Sequence, residues 1–177
     1  MGVDIEKELS KSQIVLMVMP SAGYNEMVIA HLAKLSKKTV CYVTLSKTFE
    51  SMKEIFKENK INSGNIVVID AISKSIRKVP SQTDGCYYVS SPNSLTELEI
   101  AVLKVLRHGF SYLVFDSLST MMFYQKNAPV AKFVAALANN ARQNNAKALF
   151  YTVKSAEQSQ MVSDVGTLVD KVIDLGK

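Results

Sequence analysis

IVLMVMPSAGYNEMVIAHLAKLSK, residues 14–37, decides how the rest of the chain is read. The apolar run Ile14–Met19 has the length of a strand and stops at Pro20. A turn of small residues follows, Ser21-Ala22-Gly23. A helical pattern then opens at Asn25 and runs to about Lys37, with Met27, Ile29, Leu32, Ala33 and Leu35 recurring at helical spacing. An unbroken apolar run suits a central strand covered on both faces. Strand, tight turn and helix together build a phosphate cradle, because the first N–H groups of a helix have no intrahelical partner and can bind an anion. This turn lacks the lysine and the Ser/Thr that such a loop would use.

Outward from this stretch, strands and helices alternate. Residues 3–12 are expected to form a short helix or N-terminal extension. Thr39–Leu45 (TVCYVTL) is a second buried strand, rich in β-branched residues. Thr48 can cap a helix over Phe49–Glu58, whose Phe49, Met52, Ile55 and Phe56 form one stripe. Ile66–Ile69 is a third strand ending at Asp70, residues 71–85 read as an exposed polar loop, and Cys86–Ser90 is a fourth short strand. Ser94 and Glu97 have the spacing of a capping box for a helix that runs to about His108 and stops at Gly109. Ser111–Phe115 is a further buried strand, closed by Asp116-Ser117-Leu118-Ser119. Pro129 suits the first turn of a helix over 129–143; Ala148–Val153 is the next strand, and Leu168–Leu175 the last. This alternation points to an α/β fold with a mainly parallel sheet.

The composition is that of a folded domain: 177 residues, expected to form a single domain over 1–177, 47% apolar and 21% charged, with 7 Gly and 4 Pro. No apolar run approaches the ~18 residues of a membrane helix, and the charged N-terminus MGVDIEKELSKSQ lacks a signal peptide's apolar stretch. Glu6 stands where a myristoylation signal after Gly2 would need Ser/Thr. Cys41 and Cys86 lie among apolar neighbours and read as small buried hydrophobes, which makes a reducing cytoplasm the expected compartment. The net charge of +5 comes from scattered lysines, so nucleic-acid binding is not indicated.

In order, the strand–turn–helix, the β-branched second strand, LVFDSLS at 113–119 and VGTLVDKVIDL at 165–175 resemble the RecA-like P-loop ATPases, most closely their KaiC-like branch, common in archaea. The resemblance extends from about Ile14 to Leu175. It implies a three-layer α/β/α sandwich and makes Asp116 the Walker B aspartate. The family's loop, Gly-x-x-Gly-x-Gly-Lys-Ser/Thr, falls on Val18, Ser21 and Gly23 for the glycines, Tyr24 for the lysine and Asn25 for the hydroxyl residue. Only Gly23 is kept. Tyr24 carries no charge to set against the phosphates, and Asn25 is a poorer magnesium ligand than a hydroxyl, though it would serve as a helix cap. The family's catalytic glutamate after the second strand falls on Ser46 and Lys47, neither of which can act as that base.

The resemblance therefore implies a fold kept and a hydrolysis lost. Ser21, Ala22, Gly23, Tyr24, Asn25 and Asp116 form a vestigial nucleotide site, and Asp116 is a metal ligand only where a magnesium nucleotide binds. The plainer reading of Asp116 is a strand-end residue capping the next turn. Lys47 and Lys154 both follow strands and are the candidate replacement cations; as a rule such lysines are solvated. His31 and His108 have no ligand cluster around them. Met121-Met122-Phe123-Tyr124 reads either as a docking surface or as core beneath a loop. The leading expectation is a cytoplasmic pseudo-ATPase, with no cofactor, that works through a protein partner or as a homo-oligomer. One alternative is a nucleotide-binding switch or slow ATPase using ATP, Mg²⁺ and a relocated lysine. Another is an accessory in DNA recombination.

Overall fold

The computed structural model describes residues 2–176; Met1 and Lys177, the ends of the expected span 1–177, lie outside the described residues. All six residues of β1, Ile14–Met19, are buried. Their side chains alternate: Ile14, Leu16 and Val18 enter one core cluster, and Val15, Met17 and Met19 enter another. This explains why the run is apolar at every position, since a strand with two buried faces has no polar side.

Around β1 the chain builds β2 (Val40–Thr44), β3 (Ile66–Asp70), β4 (Gln82–Thr83), β5 (Cys86–Tyr88), β6 (Tyr112–Asp116), β7 (Lys147–Val153) and β8 (Lys171–Asp174). They form one sheet in the order β4-β5-β3-β2-β6-β7-β1-β8. Every pairing is parallel except β4 with β5. The helices are α1 (Ile5–Lys11), α2 (Tyr24–Leu35), α3 (Phe49–Glu58), α4 (Ser73–Ile76), α5 (Leu95–Leu106), α6 (Leu118–Met121), α7 (Asn127–Gln143) and α8 (Ser159–Gly166). The first three supply Ile5, Leu9, Leu32, Met52 and Phe56 to the cluster that holds Val15 and Met17. Helices α5 to α8 supply Leu98, Met121, Leu137 and Val165 to the other cluster.

Several elements follow the sequence closely. Thr48 caps α3 by accepting from the Ser51 N–H at 3.2 Å. Gly109 takes the left-handed φ of +79° after α5. Other expectations are corrected. The stretch 71–85 is not one irregular loop, because α4 and β4 lie within it. Ser94 holds the N-cap position of α5, but its side chain caps no N–H; its hydroxyl meets that of Ser91 at 3.1 Å, while the Glu97 carboxylate reaches past it to accept from the Ser90 N–H at 2.6 Å. Helix α7 begins two residues before Pro129, which keeps a first-turn position. The last strand shrinks to four residues because it pairs only with β1 and leaves its outer side exposed.

Candidate functional site

Asp116 ends β6 and is 4% exposed. The β2–β6 register sets Thr44 beside it, with Tyr42 two residues back on the same face of β2. From there the Tyr42 hydroxyl donates to Asp116 Oδ2 at 2.6 Å. Tyr24, the first residue of α2, turns its hydroxyl inward and donates to Asp116 Oδ1 at 2.5 Å. Each carboxylate oxygen thus takes one phenol, in hydrogen bonds strengthened by the negative charge. Burial, and then the Asp116 charge, raises both phenols far above the usual tyrosine range, so they stay protonated as donors.

Behind Tyr24 the network continues. Its ring stands edge-on to Tyr151 of β7, with centroids 6.2 Å apart. The Tyr151 hydroxyl lies 2.8 Å from His31 Nδ1 on α2, and the two rings stack at 12°. Burial, helped by nearby Lys34, pushes the His31 imidazole down to about 4, which leaves it neutral at pH 7. Four elements, α2, β2, β6 and β7, thereby meet at one polar cluster on the carboxyl side of the sheet, where open α/β sheets place ligands.

The turn before α2 is tied up as well. Gly23 is the N-cap at φ +73° and gives α2 no side-chain cap. The Tyr24 N–H is directed at the Ser21 carbonyl at 3.4 Å, which occupies one donor that a phosphate would use. Ser21 and Ala22 are exposed, and Val18 is buried in the core cluster on the far side of the sheet from Met17. Asn25 is not the cap its residue type suggests, because Gly23 takes that place; its Oδ1 accepts from Lys47 Nζ at 2.9 Å. Asn25, Lys47, Tyr42 and Asp116 line a cavity of only about 10 Å³, room for one water molecule at most. Both oxygens of Asp116 and the Asn25 amide oxygen are therefore engaged, and the donor set does not fit a magnesium nucleotide in this arrangement.

Of the two candidate cations, Lys47 reaches this cluster and Lys154 does not: it pairs with Asp174 of β8 at 3.0 Å, at the sheet's edge. Ser46 is exposed. The run 121–124 divides, with Met121 fully buried, Met122 packed against the core, Phe123 84% exposed and Tyr124 46% exposed. Tyr42 and Tyr151 escaped sequence reasoning because each sits in an apolar strand, where an aromatic reads as core. Asp70 escaped it too. Fully buried at the end of β3, it accepts from the N–H groups of Phe49, Ile72 and Ser73 and from the Ser73 hydroxyl, and so holds the starts of α3 and α4.

The model of a family of unknown function, DUF7090, matches residues 4–177. The chain belongs to the DUF7090 family. No curated protein matches it. Among the described residues of this DUF7090 chain, no group of three or more His, Cys, Asp and Glu could hold a metal ion, and no helix is long and apolar enough to cross a membrane. Cys41 and Cys86 are free and buried; burial pushes the Cys86 thiol up to about 12, which makes it a poor nucleophile at neutral pH.

Proposed function

We propose that this chain is a KaiC-like, RecA-like domain, a three-layer α/β/α sandwich that has given up ATP hydrolysis and works in the cytoplasm through protein contacts, in signalling or regulation. The observation that carries this reading is the hydrogen bond from Tyr24 to Asp116. Tyr24 stands at the position the resemblance gives to the phosphate-binding lysine, and Asp116 at that of the metal-binding aspartate. In place of a cation and a triphosphate between them there is a direct contact. Helices on both faces of a mainly parallel sheet, and the convergence of α2 with the end of β6, support the fold part of the reading. The test is a sensitive ATP hydrolysis assay on the purified chain: the expected rate is indistinguishable from buffer, and turnover that disappears in Asp116→Ala would overturn the reading.

A second reading, a nucleotide-dependent switch, draws on the position of Lys47. Its ammonium group lies at the same cavity as Asp116, held by Asn25 rather than by an acid. Outward rotation of Tyr24 would then expose a carboxylate and an ammonium group together. This reading requires ATP binding that depends on Lys47.

A further inference from the structure

Helices α5 and α7 pack side by side, and the groove between them encloses about 570 Å³. Its floor is apolar, made by Leu95, Pro129, Phe133 and Ala136. A second hollow of about 540 Å³ adjoins it at Leu95 and Thr96 and extends to Ile100 and Gln125. Ile100 is 62% exposed. The segment leading into α7 carries Phe123, exposed over 84% of its surface, and Tyr124. That segment is anchored at the groove's end, where the Gln125 amide donates to Asn93. Ile100 thus adds an exposed apolar side chain to the hollow, and Phe123 and Tyr124 stand two residues and one residue before Gln125, which lines it.

The charges on this surface name its occupant. Glu99 comes from α5 and Lys132 from α7, one on each wall of the groove. Among the described residues neither forms an ion pair or a hydrogen bond with any neighbour. One unpaired acid and one unpaired base beside a common apolar floor form a self-complementary pattern. A two-fold axis through such a surface sets each residue i of one copy against j of the other, and j against i, so one geometry satisfies both charges twice. We infer that the α5–α7 face docks a second copy of this chain, with Glu99 of each protomer against Lys132 of the other and with Ile100 and the Leu95–Pro129–Phe133 floor forming the apolar centre. The inference deepens the proposed action through protein contacts by naming the partner, and rests on that reading only for its biological use.

The test is analytical ultracentrifugation of the wild-type chain and of three surface variants whose folding is checked by circular dichroism. At about 100 micromolar the wild type is expected at twice the chain mass of 19.5 kDa. Ile100→Asp is expected to weaken the dimer at least tenfold. Glu99→Lys and Lys132→Glu each set like charges face to face and are expected to be monomeric alone. Mixed in equal amounts, those two variants carry matched charges at both positions, and a dimer is expected to return. A monomeric wild type overturns the inference, as do single reversals that dimerise like the wild type. Neither result touches the ATP measurements, so failure here and failure of the pseudo-ATPase reading are told apart.

Discussion

At the scale of single residues, the chain spends three tyrosines and a histidine around one buried carboxylate. A carboxylate left alone in this position would cost several kcal/mol, and two phenol donors replace the water it has lost. His31 extends the arrangement through Tyr151, and its depressed protonation has a consequence for stability. The folded imidazole titrates near 4, below the 6.5 of the unfolded chain, so between these values the unfolded state binds a proton that the folded state refuses. The stability contribution is therefore present in full above pH 6.5 and is lost as the pH falls toward 4, by up to about 3 kcal/mol. Chemical denaturation at a series of pH values, for wild type and for His31→Gln, isolates this dependence from that of the carboxylates. The difference between the two curves is expected to change over pH 6.5 to 4, and parallel curves would show that His31 titrates normally. Little of this cluster could be read beforehand. Tyr24 announces itself by standing where the resemblance calls for a lysine, but Tyr42 and Tyr151 look like any aromatic in an apolar strand.

At the scale of elements, legibility follows length and periodicity. The strands β1, β2, β6 and β7 are visible as apolar runs because both their faces are buried, and α3 is visible through its cap and its Met52/Phe56 stripe. Helix α4 and strand β4 are too short and too polar to give a period; Asp70 and pairing with β5 hold them, and both are tertiary causes. The Ser94/Glu97 spacing fits the capping-box pattern, yet Glu97 finds a nearer amide at Ser90, an outcome set by the loop path. The turn into α2 offers a clean test. Gly23 sits at φ +73°, and a Cβ built there meets nothing within 4 Å, so a side chain would cost conformational energy without a clash. Gly23→Ala is expected to lower unfolding free energy by about 1–2 kcal/mol, measured by urea denaturation. An unchanged midpoint would mean that the turn is free to relax to negative φ.

At the scale of the whole molecule, sheet order is what makes the site. Tyr24 and Asp116 are 92 residues apart and meet because β1 and β6 are separated in the sheet by β7 alone. Tyr42 joins from β2, the neighbour of β6 on the other side. The strand sequence implies a parallel sheet, but the order of strands, and hence which distant side chains become neighbours, depends on long-range packing that no local pattern records. Under the proposed reading, this convergence forms a closed polar plug where a P-loop domain would hold its nucleotide. Calorimetric titration of the wild-type chain with ATP and Mg²⁺, repeated on Lys47→Ala, tests it most directly. No binding heat up to millimolar nucleotide is the expected result. Micromolar binding, worth about 8 kcal/mol and lost in Lys47→Ala, would contradict it.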